Sequence, residues 1–558
     1  MAGRLRCLTP PLLLILLAVT AAPTTRQGDE DQRQLPVVTV DGHEQRVWVA
    51  TVDGGPQARL SVESPCRPPT NGSFVFVRLG PGPPPSAGAA PRLRASGGGT
   101  VPPRRVVVTI PRQAVDLPKR LGGALGHAAL LPRPVNGAPP PAVTPVEPGQ
   151  WAFTVSTPGR WVLELTDDRG SGPYQQQRFS SGLMVFAEFD DPSPPRHDDP
   201  SVTYFSAGVH RLPLQPSWHL AGEGRGMSLR NDSTVYLAPG AVVLGTIRGM
   251  NVRNVSIRGG GILAAAFLPG ESPPCAPATP PSCMPTCPTS HAISITGGSS
   301  VHLEGITIMH TTSWNVNIQA VKGVFIDRLK ILGWKVWGDG VDLVSVQDAV
   351  VQDCFVRSDD DAIAIKGIER DIDSRNITVQ DSVLFNQQHG NCMEVGVELN
   401  NRHISDVTFA RIVCIHEKGA VMGIHNGGRA IVSNILWTDI VAQTLSWPEY
   451  DGTAVQHSPT YGLKLLEARI YPTKYCRRDN GCFDPSLRGS IAGVHYRRVQ
   501  HHTNGVAWLY SRLLGNSSAH NVTGVVFEDV TVDGKRALSL HDINATVNAY
   551  VHNISFVQ

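Results

Sequence analysis

The chain has 558 residues, more than one hydrophobic core usually serves, so two folded parts or one elongated part are expected. Lysine and arginine (49) nearly balance aspartate and glutamate (47), and no long basic run occurs. This balance gives no indication of a nucleic-acid partner or of an anionic membrane surface as a partner.

The first predicted element is a secretory signal at residues 1–22. Arg4 and Arg6 precede an apolar stretch that ends in small residues around Ala21 and Ala22, which is the layout of a cleavable signal. No later run reaches the roughly eighteen apolar residues that a membrane span requires. We therefore predict a secreted, extracellular protein, monomeric and without a membrane partner.

The glycosylation sequons and the cysteines also fit a secreted protein. Of the ten cysteines, Cys7 lies in the signal, so an odd number remains and at least one thiol has no partner within the chain. The predicted disulfides are Cys476–Cys482 and one pair among Cys275, Cys283 and Cys287. No histidines stand at ligand spacing near these cysteines, so no metal and no cofactor is expected. The Asn-x-Ser/Thr sequons are at Asn71, Asn231, Asn254, Asn376, Asn516, Asn521, Asn544 and Asn553.

Residues 35–190 are predicted to form an N-terminal β-sandwich domain. Short runs rich in Val, Thr and Phe, such as "SFVFVRL" and "RRVVVTIP", alternate there with turns rich in Pro and Gly. No catalytic motif is present in this part. The polar, Pro-rich segment "DDPSPPRHDDP", residues 190 to 200, is predicted to be a linker.

The rest of the chain contains an internal repeat. An apolar residue is followed by others two, five and seven positions later, and uninterrupted repeats start 23 to 31 residues apart. The occurrences are Val255/Ile257/Gly260/Ile262, Val301/Leu303/Ile306/Ile308, Val324/Ile326/Leu329/Ile331, Ala349/Val351/Cys354/Val356, Ile377/Val379/Ser382/Leu384, Val407/Phe409/Ile412/Cys414, Ile435/Trp437/Ile440/Ala442, Val494/Tyr496/Val499/His501 and Val525/Phe527/Val530/Val532.

This spacing predicts an all-β right-handed parallel β-helix over residues 200–558. The repeat is too short to contain a full helix between strands, and the intervening residues show no helical period. Short parallel strands stacked in rungs about 4.8 Å apart would bury the repeated apolar residues in one column. A large β-sandwich is the alternative, but a constant spacing of two, three and two favours the solenoid.

Stacked rungs bring distant carboxylates together. The strands "DGVDLV", "DDAIAI" and "KGAVMG" align when Val341 is placed on Ala362 and Ala420, which puts Asp339, Asp360 and Lys418 at one position. Asp361 then lies beside Asp360, and His389 with Gly390 lies close to the same column, whereas Asp359 is left without a role. Crowded carboxylates raise one another's pKa, and a protonated acid beside an ionised base is what glycosidic cleavage needs. Aspartates also cluster in turns for structural reasons, but Asp339 and His389 on the neighbouring rungs favour catalysis.

At these motifs the sequence resembles the polygalacturonase family of glycoside hydrolases and the related dextranase and isopullulanase family. "WGDGVDLV" resembles the shared Asn/Gln-Thr-Asp-Gly motif, and "SDDDAIAIK" the Asp-Asp motif. The resemblance implies that Asp360 is the general acid, that Asp339 and Asp361 activate water, and that hydrolysis inverts the anomeric centre. His389 with Gly390 resembles the polygalacturonase His-Gly motif. The Arg-Ile-Lys segment that polygalacturonases use to hold galacturonate corresponds to Val421–Gly423, which reads "VMG".

Further residues are predicted to bind a polysaccharide or oligosaccharide substrate. Lys366 and Lys418 are candidates for contacts with sugar hydroxyls or an anionic group, and a solvated strand end is the alternative for each. Trp314 and Trp337 flank the cluster and could stack on sugar rings or fill corners of the core. Glu394 corresponds to a glutamate-containing strand of the dextranase type.

Two other functions remain open at this stage. A calcium-dependent polysaccharide lyase would share the fold, and three aspartates could hold calcium, but no arginine base lies in the aligned column. A non-catalytic extracellular carbohydrate-binding protein would also share it, but a pure binder has no need for crowded carboxylates.

Overall fold

The computed structural model describes residues 37–40, 43–45, 48–50, 72–81, 104–109, 125–131, 141–147, 150–155, 157–167, 179–219, 222–265, 291–309, 311, 313–333, 337–386, 389–416, 419–443, 463–472, 487–503 and 510–557. Within these ranges all regular structure is β-strand. No helix in the described part of the chain is long and apolar enough to cross a membrane.

The strands before residue 190 form two five-stranded sheets. Their orders are β2-β1-β5-β8-β7 and β3-β4-β10-β9-β6. Both sheets fall inside the predicted 35–190 unit, and their packing as one sandwich domain stays a prediction. The strands are β1 Val37–Val40, β2 His43–Gln45, β3 Trp48–Ala50, β4 Gly72–Pro81, β5 Arg104–Thr109, β6 Leu125–Leu131, β7 Thr144–Glu147, β8 Gln150–Val155, β9 Gly159–Asp167 and β10 Phe179–Asp190.

Apart from the antiparallel pairs β13–β14 and β37–β38, the later strands stack in parallel, which confirms the predicted β-helix. They are β11 Val202–Phe205, β12 Gly208–Arg211, β13 Leu214–His219, β14 Gly222–Ser228, β15 Ser233–Leu237, β16 Ala241–Leu244, β17 Thr246–Gly259, β18 Ile262–Ala264, β19 Ile293–Glu304, β20 Thr307–Met309, β21 Val316–Asp327, β22 Lys330–Leu332, β23 Val341–Val344, β24 Gln347–Gln352, β25 Phe355–Ser358, β26 Ile363–Gly367, β27 Ser374–Gln380, β28 Val383–Asn386, β29 Met393–Leu399, β30 His403–Ile415, β31 Ala420–Asn426, β32 Ile431–Gln443, β33 Lys464–Ile470, β34 Ser490–His502, β35 Ser511–Leu514, β36 Val522–Glu528, β37 Thr531–Val532, β38 Lys535–Arg536, β39 Ala545–Val547 and β40 Val551–Val557.

Three parallel ladders surround one core. The front sheet contains β14, the first halves of β17, β19 and β21, then β23, β26, β29, β31, β33, β35 and β39. The side sheet runs through β24, β27, β36 and β40, and the back sheet through β18, β20, β22, β25 and β28. The repeated apolar residues of the sequence face inwards, and Val324, Ile326, Leu329 and Ile331 are all buried. Each such side chain contributes roughly 1.5–3 kcal/mol when fully buried.

A column of left-handed residues explains the three-residue gap in the repeat. Between the side and back sheets each rung bends at one residue. These residues follow one another in register along the ladder and form a bend column. All of them have positive φ: Gly259, Gly305, Arg328, Asp353, Asp381, Arg411, Asp439, Arg498 and Asp529. Charged pairs within the column include Arg411 with Asp381 at 2.6 Å and Arg498 with Asp439 at 2.6 Å.

The described contacts of the N-terminal sheets with the β-helix fall on the back sheet and on the column of bends beside it. Phe186 of β10 packs edge-on against Phe355 with ring centroids 5.2 Å apart, and Lys330 pairs with Glu188 at 2.6 Å. Arg160 of β9 bonds to Asp353 of the bend column.

One disulfide lies among the described residues and was not predicted. Cys392 and Cys414 are joined inside the core, with Cα atoms 6.3 Å apart, and Cys354 is a free buried thiol. The predicted signal at residues 1–22 and the predicted disulfide cysteines lie outside the described residues. Those cysteines are Cys275, Cys283, Cys287, Cys476 and Cys482.

Candidate active site

The predicted catalytic residues come together at the start of three neighbouring front-sheet strands. Asp339 precedes β23, Asp360 and Asp361 precede β26, and His389 precedes β29. These strands pair in sequence, β23 with β26 and β26 with β29. The cluster therefore depends on the rung stacking that the repeat predicted.

The predicted register within this cluster is wrong by one residue. Val341 pairs with Ile363, not with Ala362, so Asp339 is in register with Asp361 and the Gly340 amide donates to the Asp361 carbonyl at 2.8 Å. On β31 the residue in this register is Met422, so Ala420 occupies the column position that was predicted for Lys418. Position 340 requires a glycine, because a Cβ there would lie 2.3 Å from the Ala362 carbonyl oxygen.

Asp360 is half-buried and surrounded by groups that keep it protonated. Burial, together with the carboxylates of Asp339 and Asp359, raises the pKa of Asp360 to about 7, and His389 acts in the opposite direction. Its Oδ1 accepts a hydrogen bond from the Asp361 amide at 3.0 Å. A carboxyl group with this pKa can still donate a proton near neutrality.

Asp361, the neighbour of Asp360, is buried. Its Oδ1 accepts hydrogen bonds from the Asn391 amide at 2.7 Å and from Asn391 Nδ2 at 3.0 Å. Burial, with Asp360, Glu394 and Asp339, raises the pKa of Asp361 well above its usual range. The Asn391 donors favour the charged form of Asp361. When Asp360 and Asp361 share one proton, Asp360 is therefore the better residue to carry it.

Lys366 is enclosed by a cage of three carboxylates, those of Asp339, Asp342 and Glu398. Its Nζ donates to Asp339 Oδ2 at 3.0 Å and pairs with Asp342 at 3.1 Å and with Glu398 at 3.5 Å. The ammonium also lies 3.9 Å from the centroid of the Trp314 ring. An ammonium has three donors, so these carboxylates can occupy all of them. Lys366 thus stabilises the negative charge of Asp339, and its predicted contact with sugar stays a prediction.

Asp359 has a role that the sequence did not suggest. Its Oδ2 lies 2.9 Å from His389 Nδ1, and the Asp359 carbonyl accepts a hydrogen bond from the His389 amide at 2.7 Å. Gly390 follows because a Cβ there would lie 2.4 Å from Asp360 Oδ1. This close approach positions the His389 imidazole beside Asp359 and Asp360.

Glu394 belongs to a second charged cluster further along the front sheet. Its Oε2 lies 2.8 Å from His425 Nδ1, and His425 Nε2 lies 3.4 Å from Glu467. Burial alone would lower the pKa of His425, but Glu394 and Glu467 outweigh it and raise the pKa to about 9. His425 therefore carries a positive charge at neutral pH, and Glu394 is engaged with protein groups.

The predicted aromatic contacts differ from one another. Trp337 is 47% exposed and has φ 60, a left-handed conformation that is unusual for a bulky residue. Trp314 is less exposed and packs against Lys366 and, in a stacked arrangement at 5.4 Å, against His291. Trp337 is therefore the better placed of the two for a sugar ring. Lys418 lies outside the described residues.

The partners that the sequence analysis missed are Asp342, Asn391, Glu398, His425 and Glu467. Asp342 and Asn391 stand inside motifs already singled out, so a correct register would have found them. His425 and Glu467 sit on strands separated by an insertion, which hides their alignment. Within the described ranges no group of three or more His, Cys, Asp or Glu side chains is arranged to hold a metal ion.

No model of a known protein family matches the chain. A probable polygalacturonase from Vitis vinifera is 22% identical over 253 residues, which are 43% of this chain and 46% of that relative. The chain thus spans about half the length of this curated relative.

Solved structures give a fuller match. Dex49A from Penicillium minioluteum has a TM-score of 0.58 over 93% of each chain, at 15% identity. The chain shares the fold of Dex49A. A family 28 exopolygalacturonase from Yersinia enterocolitica has a TM-score of 0.37, at 12% identity, over 72% of this chain and 85% of that one. The resemblance indicated by the sequence motifs is confirmed, and at these identities it establishes the fold.

Proposed function

We propose that the protein is a secreted glycoside hydrolase that cleaves polysaccharide glycosidic bonds. The observation that carries this proposal is that two carboxyl groups at one site have different electrostatic surroundings. Asp339 is held by the Lys366 ammonium at 3.0 Å, whereas burial and its neighbours raise the pKa of Asp360 to about 7. An ionised base and a protonated acid at one site are what hydrolysis of a glycoside requires.

In the proposed reaction Asp360 donates its proton to the glycosidic oxygen as the bond from the anomeric carbon to that oxygen breaks. Asp339 and Asp361, in register on adjacent rungs, remove a proton from a water molecule. The water oxygen forms the new bond to the anomeric carbon from the opposite face, with inversion. Trp337 offers an exposed ring for stacking on the sugar.

Reducing-sugar release by the purified full chain tests the proposal. Neutral glucans and uronate polymers would be incubated with and without chelator, with ultraviolet absorbance followed in parallel. Release on one polymer class that survives chelation supports the hydrolase. An unsaturated, absorbing product that needs calcium would instead support the lyase, and glycan binding without any cleavage would support a carbohydrate-binding protein.

The basic limb of the pH–rate profile is expected near pH 7. Asp360 must be protonated to act, so kcat should fall as pH rises through its pKa of about 7. His389 lowers this pKa, so His389→Gln should move the limb to higher pH by about one unit. The exposed His552, on the terminal strand β40, provides the control His552→Gln, which should leave the limb in place. A limb unmoved in His389→Gln would contradict the assigned interaction.

A further inference from the structure

In the second charged cluster on the front sheet, the carboxylate of Glu467 faces several cationic groups. Glu467 Oε2 faces Lys464 at 2.9 Å and His425 at 3.4 Å. Its Oε1 faces Arg512 at 2.9 Å and Arg469 at 3.4 Å. This one carboxylate therefore faces four cationic groups, and Glu394 also pairs with His425. These charges hold the pKa of Glu467 below its usual range despite burial.

Arg469 is the member of this cluster that is best placed for a ligand. Its guanidinium carbon lies 4.0 Å from the centroid of the Tyr471 ring, which fixes its plane. At 3.4 Å its Nε makes no hydrogen bond with Glu467, and this buried nitrogen has no hydrogen-bond partner within the described structure. The side chain is 17% exposed. A guanidinium held in a fixed plane with an unused donor suits a carboxylate or a sulfate.

The cluster lies along the same sheet as the catalytic carboxylates. From β26 the front sheet continues through β29 and β31 to β33, which carries Arg469. Three steps of about 4.8 Å place it roughly 14 Å from the strand that follows Asp361. A polysaccharide bound along the front sheet would reach Arg469 with a sugar remote from the cleaved bond.

We infer that Arg469 and Tyr471 form a subsite for an anionic group, a carboxylate or a sulfate ester, on the polysaccharide. The inference rests on the proposed function for the placement of the chain along the front sheet. It reverses the indication from Val421–Gly423, where the sequence lacks the basic residues of polygalacturonases. The cationic groups come instead from β33 and β35, one and two strands further on.

The test is a binding experiment with the full chain carrying Asp360→Asn, so that no probe is cleaved. The probes are oligogalacturonate for carboxylates, sulfated dextran oligosaccharides for sulfates, and neutral isomalto-oligosaccharides. One of the anionic probes should bind, with an affinity that falls as salt concentration rises. Arg469→Gln should weaken that binding roughly tenfold, since a hydrogen bond to a charged group is lost.

Arg498→Gln is the matched control. It removes the same charge from the bend column, where Arg498 pairs with Asp439, and should leave every affinity unchanged. Unchanged binding of the neutral probe and an unchanged Tm would show that Arg469→Gln remains folded. Loss of carboxylate or of sulfate binding identifies which anion the subsite takes.

Three results would overturn the inference: no anionic probe binds, the neutral probe binds as tightly, or Arg469→Gln binds the anion like the parent. Failure of the anion subsite can be distinguished from failure of the proposed hydrolase. Cleavage of a neutral glucan at equal rates in wild type and Arg469→Gln would remove the subsite and leave the enzyme. Anion binding that depends on Arg469, without cleavage of any polymer, would do the reverse.

Discussion

Replacing Asp360 with asparagine is expected to lower kcat by about a hundredfold to ten-thousandfold, the range of a lost general acid. The amide keeps the shape of the side chain and an oxygen that can accept from the Asp361 amide, so the fold should persist. Initial rates on the polymer that the wild type cleaves, with Tm measured in parallel, check this expectation.

Asp348→Asn is the matched control for that change. Asp348 is a half-exposed carboxylate within the side-sheet strand β24, where its Oδ1 accepts a hydrogen bond from Asn376 at 2.8 Å. It should leave the rate within the error of the assay. Activity of Asp360→Asn within a few-fold of the wild type would remove Asp360 from the acid role.

Lys366→Met is expected to destabilise the fold by about 3–5 kcal/mol, because it leaves buried carboxylates without their cation. Asp339, Asp342 and Glu398 all lie within 3.5 Å of the Lys366 ammonium. Burial raises the pKa of Asp342 well above its usual range, which shows that this site disfavours a carboxylate without a cation. Urea denaturation, with the midpoint and slope both fitted, measures the change.

Lys322→Met provides the comparison for this effect. The Lys322 side chain is 67% exposed and lies 3.9 Å from Asp348, so its loss should change the free energy of unfolding by about 0.5 kcal/mol or less. Equal stabilities of the two variants would mean that the cage around Lys366 does not contribute as its geometry indicates.

The repeat was readable from the sequence because its spacing has a local physical cause. Two apolar residues on one strand alternate inwards, and the three-residue step that follows contains the left-handed bend, for example Arg328 between Ile326 and Leu329. Aspartate and glycine are favoured there since they tolerate positive φ. The column of bends therefore leaves a regular mark in the sequence, and the fold follows from it.

The register of the site was harder to predict. Aligning strands by their first apolar residue placed Val341 on Ala362, but Val341 pairs with Ile363, and Gly340 lies close to the Ala362 carbonyl oxygen. Small residues give no periodic signal that would reveal such a shift. The three aspartates were found because they flank strands of the repeat, while the direction of each side chain depends on this one-residue offset.

The partners of Lys366 and Glu394 could not be read from the sequence. Glu394 meets His425 and, through it, Glu467 across an insertion, residues 444–462, that interrupts the repeat. Such pairings are fixed by rung stacking and not by local spacing. The sequence therefore predicted which residue types gather on the front sheet but not which of them neutralise one another.

The position of the carboxylates along the ladder bears on how the molecule opens. In a solenoid each rung is stabilised mainly by its two neighbours, so fraying starts at the ends and spreads inwards. The catalytic rungs β23, β26 and β29 lie midway, with β14 to β21 before them and β31 to β39 after. Amide hydrogens of these central strands should exchange with solvent most slowly, and catalytic turnover should outlast the first loss of structure at either end.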